Sequence, residues 1–140
     1  MKDNNSEYKV IQALIDSGID VDAYTEKVAK TPNGRNPLII AVKQGNIKMV
    51  KMFLEAGESP NLKDEDSGTT PLISAVRYQY VHITRLLLEN GANLNIPDKT
   101  GNTPLEIAMN LPIDINNTHK NKLRSKKIIY LIIRYNNASI

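Results

Sequence analysis

Apolar residues recur along the chain in two alternating patterns, both typical of amphipathic helices. A short segment that opens with Pro-Leu, at Pro37, Pro71 and Pro104, carries alanine three residues after its leucine. A second segment places large side chains at i+3 and i+4 and then a glycine, as in Val50-x-x-Phe53-Leu54-x-x-Gly57. These spacings put the apolar side chains on one face of a helix. The pattern predicts short helix pairs whose apolar faces are too wide for one pair to cover.

The two segments repeat at a nearly constant interval. The three prolines are separated by 34 and 33 residues, and each follows a glycine by three positions. The second pattern recurs as Ile11-x-x-Leu14-Ile15-x-x-Gly18, Thr84-x-x-Leu87-Leu88-x-x-Gly91 and Ile129-x-x-Ile132-Ile133-x-x-Asn136. A period of this length is typical of stacked arrays, in which each unit buries its apolar face against its neighbours.

Residues at the segment ends favour the same helix boundaries. Asn36, Thr70 and Thr103 precede the prolines and are residue types that accept hydrogen bonds from the first free amides of a helix. Proline suits the first helical position because its missing N–H has no partner there in any case. Gly18, Gly57, Gly91 and Asn136 are residue types that tolerate the left-handed conformation that ends many helices.

Two stretches carry a family resemblance. The segments Asp98-Lys-Thr-Gly-Asn-Thr-Pro-Leu-Glu-Ile-Ala108 and Leu87-Leu88-Glu-Asn-Gly-Ala-Asn-Leu-Asn95 resemble the opening and the close of the ankyrin repeat. The resemblance implies an all-α solenoid of stacked antiparallel helix pairs with short β-turn or hairpin-like loops. The sequence departs from the family at the histidine after T-P-L, replaced by Ile39, Ile73 and Glu106, and at the inter-helix glycine, kept as Gly45 but replaced by Gln79 and Pro112.

We expect one domain over residues 1–140, divided into four copies of unequal completeness. The copies cover about 6–22, a partial N-terminal cap, then 31–63, 64–97 and 98–138. Extra residues at 23–33 and 112–123 are interpreted as tolerated surface loops, since end repeats are expected to be atypical. An accessory fragment of a longer ankyrin array is an alternative for the incomplete first copy.

The composition excludes several chemical features and predicts the cellular compartment of the protein. The absence of cysteine excludes disulfides and thiolate metal sites. The longest apolar run, 128–133, has six residues, whereas a membrane span needs about 20. The first six residues are polar and lack the apolar core of a signal peptide. We expect a cytoplasmic protein, with secretion as an effector left open because receptor-read export signals escape this test.

Few side chains are candidates for catalysis or metal binding. The two histidines, His82 and His119, are expected on the surface, and Ser74 falls inside a predicted helix rather than at a strand–turn–helix elbow. The acidic runs at 20–22 and 64–66 lack the glycine spacing of a calcium loop. We therefore expect no enzyme, no cofactor and no metal site.

The family resemblance implies that another protein docks on the concave surface made by the loops and first helices. The positions that correspond to this surface are Arg35, Lys43, Gln44, Asp66, Thr69, Arg77, Tyr78, Tyr80, Lys99, Asn102 and Asn110. Tyrosine and arginine are frequent binding hot spots. The alternative for the two tyrosines is structural: Tyr80 packs on the adjacent copy and Tyr78 covers the turn.

Charge is unevenly distributed. Residues 1–70 hold 9 basic and 11 acidic side chains, whereas residues 71–140 hold 9 and 4, and the last 26 residues have no acid. The basic run from Lys120 to Lys127 could bind nucleic acid or an anionic membrane surface. No interleaved aromatic side chain accompanies it. We therefore favour a solvated loop that leads into a capping helix, and regard nucleic-acid and membrane partners as the less favoured alternative.

The final predicted helix has more apolar residues than one buried face requires. Tyr130, Leu131 and Tyr135 accompany its isoleucines, and no fifth copy follows in the sequence. Exposed apolar ends can mark association surfaces. The sequence is thus compatible with a weak end-to-end dimer through residues 128–140, or with a monomer in which residues 136–140 fold back over that face.

Overall fold

The structure is a computed structural model that describes Gln12, Ile15, Asp16 and residues 37–64, 67–111 and 118–138. The three isolated residues are helical, and the Gln12 Nε2 donates to Asp16 Oδ1 at 2.9 Å. Longer helices occupy the remaining ranges, which contain no strand: α1 (Pro37–Lys43), α2 (Ile47–Glu55), α3 (Pro71–Arg77), α4 (Val81–Glu89), α5 (Pro104–Met109) and α6 (Thr118–Ala138).

The helices form pairs that stack in two layers. Helix α1 packs on α2, α3 on α4, and α5 on α6, while α3 lies between α1 and α5 in the layer of first helices. The second helices α2, α4 and α6 form the other layer, and a continuous core runs through both. Its largest fully buried side chains include Phe53, Leu38, Leu72 and Leu87. The predicted all-α solenoid of stacked helix pairs is confirmed.

Threonine and proline start the first helices as the sequence predicted. The Thr70 hydroxyl accepts from the Ile73 amide at 3.2 Å, and Pro71 follows at the first helical position. Thr103 accepts from the Glu106 amide at 3.4 Å, while Glu106 Oε1 accepts from the Thr103 amide at 3.4 Å. This reciprocal capping box gives a local role to the glutamate that replaces the family's histidine. Asn36 lies outside the described residues.

Glycines end the second helices where expected. Gly57 and Gly91 have φ values of 94° and 88°, a region that side chains other than glycine rarely adopt. The turn between α1 and α2 uses Gly45 at φ 67°, and the turn between α3 and α4 keeps nearly the same conformation with Gln79 at φ 59°. The array therefore preserves its turn geometry even where the preferred residue is missing.

The last helix corrects four predictions. Helix α6 has 21 residues against nine in α4, so residues 118–123 of the predicted insertion and the basic run from Lys120 to Lys127 are helical rather than a loop. The helix also runs through Asn136 to Ala138, so Asn136 does not end it and residues 136–138 do not fold back. The described segment has no proline or glycine to interrupt it, and lysine, arginine and leucine favour helix.

The apolar register of α6 also differs from the predicted one by a residue. Ile128, Leu131 and Ile132 are buried, at positions that correspond to Thr84, Leu87 and Leu88 in the previous repeat. Ile133, which the alignment had placed in the core, is 46% exposed. Although α6 is long, none of the helices in the described parts of the chain combines the length and apolar content required to cross a membrane.

Candidate partner-binding surface

Tight turns between the repeats present the loop residues. In the turn before α5, the Asp98 amide donates to the Asn102 carbonyl at 2.9 Å and the Gly101 amide to the Asp98 carbonyl at 3.0 Å. The turn before α3 is one residue longer, and in it the Asp64 amide donates to the Thr69 carbonyl at 2.8 Å and the Gly68 amide to the Asp64 carbonyl at 2.7 Å. The predicted β-turn loops are present in this form, and Lys99 and Asn102 are exposed on the second of them.

A buried carboxylate organises that second turn. Asp98 is 5% exposed, and its Oδ1 accepts from the Thr100 hydroxyl at 2.6 Å and from the amides of Thr100 and Asn102 at 2.9 and 3.0 Å. The Arg77 Nη2 donates to Oδ2 at 2.6 Å. The Thr100 hydroxyl, followed by the backbone amides and then the Arg77 charge, lowers the pKa of Asp98 below its ordinary value, against the opposing effect of burial.

This finding changes the role of Arg77, expected as a partner contact. Its guanidinium already joins the end of α3 to the loop of the next repeat, although 44% of the side chain remains accessible. Asp98 itself was absent from the expected binding set. The D-x-x-G spacing of Asp98 and Gly101 was the sequence signal for its role, because a short acidic side chain commonly accepts bonds from amides of the turn that it opens.

Thr69 does not lie on the surface. It was expected among the partner contacts, but it is 4% exposed and its hydroxyl lies 2.6 Å from Ser67 Oγ. The cause is its position immediately before the N-cap Thr70, where the chain enters the core. Next to it, the aliphatic stem of Lys99 crosses Gly68 so closely that a β-carbon at Gly68 would collide with Lys99 Cγ.

The two tyrosines of the inter-helix turn have different environments. Their rings stack, with centroids 5.6 Å apart and planes inclined by 22°. The Tyr80 ring also covers Gly45 of the preceding repeat, where an added β-carbon would lie 3.0 Å from Tyr80 Cζ. Tyr80 thus packs on the adjacent copy, as the structural alternative proposed, whereas Tyr78 is 52% exposed.

The remaining expected contacts lie at the ends of the first helices and on the loops. Lys43 at the end of α1 is exposed, with its Nζ 3.9 Å from Asp64 Oδ2, and Gln44 beside it is exposed. The Asn102 Nδ2 donates to Thr100 Oγ1 at 3.0 Å. The Asn110 Nδ2 donates to the Glu106 carbonyl at 2.9 Å at the end of α5. Arg35 and Asp66 lie outside the described residues.

Other candidate chemistry does not converge in the described ranges. His82 and His119 are both exposed, and Ser74 is buried inside α3. Over residues 37–64, 67–111 and 118–138, no three histidine, aspartate or glutamate side chains are grouped closely enough to hold a metal ion.

Comparison with known proteins identifies the family to which this helix arrangement belongs. Two family models match, one described as ankyrin repeats (3 copies) over residues 2–64 and one as ankyrin repeats (many copies) over residues 65–108. No curated protein sequence matches the chain significantly.

Three solved structures are similar in fold and sequence. An ankyrin repeat domain from Acinetobacter baumannii AYE matches 73% of this chain and 50% of its own length, with 29% identity and a TM-score of 0.58. The ankyrin repeat domain of Bcl-3, a member of the IkappaB protein family, matches 74% and 40%, with 26% identity and a TM-score of 0.60.

The ankyrin repeat protein EF0377 matches 73% of this chain and 48% of its own, with 31% identity and a TM-score of 0.58. The chain thus spans half or less of the length of these neighbours. Two adjoining family matches, the stacked helix pairs and the turn geometry all agree: the chain belongs to the ankyrin repeat family.

Proposed function

We propose that this chain binds a protein partner through its first-helix surface, defined as Lys43, Gln44, Arg77, Tyr78, Tyr80, Lys99, Asn102 and Asn110. Ankyrin repeats generally serve as protein–protein interaction modules. The observation that carries the proposal is the exposure of Tyr78, of which 52% is accessible while its ring stacks on Tyr80. A large aromatic side chain held in one orientation gains contact area at low entropic cost.

Intramolecular hydrogen bonds within the first-helix surface support this proposal. Arg77 is held by Asp98, Asn102 by Thr100, and Asn110 by the end of α5. Side chains that are already ordered lose less freedom when a partner binds. The surface is thus preorganised along two consecutive repeats.

The mechanism is recognition by a rigid surface without bond chemistry. Such a module acts as an adaptor or scaffold when its partner keeps a second surface free, and as an inhibitor when the module covers the partner's own site. Because the chain spans half or less of its structural neighbours, the partner can also extend onto repeats of a longer array.

Tyr78→Ala tests the proposal. The immobilised chain captures partners from a native lysate, mass spectrometry identifies them, and the purified partner is then titrated with each variant. Tyr78→Ala is expected to weaken binding by about 1–2 kcal/mol while the melting temperature barely changes. Ile133→Ala, which removes an exposed apolar side chain from α6 outside the first-helix surface, is the control and should keep wild-type affinity. Equal affinity of wild type and Tyr78→Ala would contradict the proposal.

The oligomeric state expected from the sequence remains a prediction. Within residues 128–138, Tyr130 and Ile133 are 63% and 46% exposed, while Ile128, Leu131 and Ile132 are committed to the core. Light scattering at high concentration distinguishes a monomer from the weak end-to-end dimer.

A further inference from the structure

A groove of about 790 Å³ lies beside the second helices, at the end where they follow the inter-helix turns rather than at the loops between repeats. One wall is the N-terminal two thirds of α6, whose lining residues from Lys120 to Leu131 recur at helical spacing. The floor is formed by the start of α4 and reaches Gly45 and Ile47 at the start of α2. The groove exists because α6 continues N-terminally beyond the point where α4 begins. The Gln79 Nε2 donates to Ser125 Oγ at 3.4 Å and links the turn before α4 to α6.

Positive charge surrounds this groove. Arg85, Lys120, Arg124, Lys126 and Lys127 line it, all five are exposed, and no acidic side chain is among the described lining residues. The acidic residues of the second helices are at the opposite ends, since α2 and α4 each have their glutamate at the last position.

Helix geometry adds to this polarity. The groove lies at the N-terminal ends of α2 and α4, where the helix dipole is positive and where neither helix has an acidic residue in its first turn. Asn46 caps α2, but Tyr80 makes no side-chain hydrogen bond to the first amides of α4. Because Val81 and Ile83 line the groove, the uncapped turn of α4 borders it directly.

Apolar side chains are exposed between these charges. Ile47, Leu123 and Tyr130 line the groove and are 45%, 48% and 63% exposed. Leu123 and Tyr130 are seven residues apart on α6, so they face the same way about 10 Å apart along the helix axis. Exposed apolar surface with a polar rim is typical of interaction sites.

We propose that this groove binds an acidic protein segment that carries apolar anchors, in the manner of an amphipathic helix laid into a groove. The segment's apolar side chains contact Ile47, Leu123 and Tyr130. Its carboxylates face the cations of α6 and Arg85 and approach the uncapped first turn of α4. Tyr80 lines this groove and also belongs to the first-helix surface, but the cations and apolar anchors of the groove do not, so either interaction can fail without the other.

The composition of the groove favours a protein segment over other anionic partners. Nucleic acid would meet the cations with phosphates but leave the aliphatic floor without a matching partner, and a membrane is too flat to enter a concave groove. Pairing of this groove with the α6 of a second copy is disfavoured because α6 has no acidic residue to face the cations.

Peptide display on the full chain provides the test. The lining residues of α6 span about 17 Å, which a helical peptide of about 12 residues matches. Selection from a random library of this length is expected to enrich peptides that are net acidic and carry apolar residues at helical spacing. The best peptide is then labelled and titrated against each variant, and its affinity should fall as salt rises.

Charge-reversal variants of α6 test the role of the groove cations, and one such variant outside the groove is the matched control. Arg124→Glu and Lys127→Glu change groove residues and should each reduce affinity about tenfold or more, since both remove an attraction and add a repulsion. Arg134→Glu makes the same change on an exposed residue of α6 that does not line the groove, and should reduce affinity by about threefold or less. Circular dichroism checks that each variant is folded.

Several outcomes would overturn the inference. Enrichment of neutral or basic peptides would do so, as would equal losses for Arg124→Glu and Arg134→Glu, which indicate attraction by overall charge alone. A single-stranded DNA oligonucleotide or phosphatidylserine-rich vesicles that bind more tightly than the peptide, with the same Arg124 dependence, would assign the groove to that other partner. Retained affinity in Leu123→Ser would show that the apolar side chains of the α6 wall do not contribute to binding, which contradicts the proposed apolar anchors.

Discussion

Arg77 at the end of α3 donates from Nη2 to the Oδ2 of Asp98 at 2.6 Å, which links one repeat to the loop that opens the next. The two residues are unequal partners. Asp98 is nearly buried and accepts three further hydrogen bonds from its own turn, whereas the Arg77 side chain is 44% accessible. The carboxylate therefore organises the loop, and the guanidinium ties that loop to the array.

We expect the turn to lose stability in acid. Native contacts lower the pKa of Asp98 below the ordinary value of 3.8, so folding favours its ionised form. The resulting stabilisation is fully present above pH 3.8 and is lost as pH falls through the lowered native value. Urea unfolding of wild type and Asp98→Asn checks this prediction. The stability difference between them should be constant near neutral pH and shrink below pH 3.8, and a difference that widens in acid would refute it.

Replacing Asp98 and Arg77 separately by alanine should lower the free energy of unfolding by different amounts. Asp98→Ala leaves the amides of Thr100 and Asn102 without their acceptor, and should cost about 2 kcal/mol of unfolding free energy. Arg77→Ala removes a half-exposed partner and should cost about 1 kcal/mol or less. Denaturant midpoints measure both costs. A larger loss for Arg77→Ala would mean that the ion pair, rather than the turn, is the main contribution of Asp98.

The sequence predicted the array well because its signals are local and repeated. Thr70, Thr103, Gly57 and Gly91 each define a helix end through their own chemistry, and the repeat period sets how the pairs stack. By contrast, the sequence did not predict that Thr69 is buried. Its burial depends on how the loop packs against the core, and the residue type alone does not reveal that packing.

The prediction from the sequence failed at the last repeat, where the pattern of the earlier copies no longer applies. The length and register of α6 depend on which face α4 and α5 leave open, and the alignment to earlier copies placed Ile133 rather than Leu131 inside. The groove beside α6 could not be predicted for the same reason. It arises from the extra helical turns that replaced a predicted loop.

Gln79 occupies a backbone conformation that glycine tolerates better. At φ 59°, a side chain costs roughly 1 kcal/mol relative to glycine. Gln79→Gly should therefore raise the unfolding free energy by up to about 1 kcal/mol, reduced by the loss of the long contact to Ser125. Gln79→Ala is the matched control, because it removes the same contact but keeps the backbone cost. Thermal unfolding that ranks the alanine variant above the glycine variant would argue against strain at this turn.

The register of α6 can be measured with one substitution at two sites. Ile128 is fully buried and should cost about 2–4 kcal/mol when replaced by alanine, because the cavity left behind cannot close completely. Ile133 is 46% exposed, and its replacement by alanine should cost less than about 1 kcal/mol. Both variants remove the same atoms from the same helix and change helix propensity alike, so the difference between them reports burial. Chemical denaturation of the two variants side by side gives that difference. If Ile133→Ala were the more damaging, the face of α6 that packs on α4 and α5 would be the one predicted from the repeat alignment, and the groove proposed beside Leu123 and Tyr130 would lose its geometric basis.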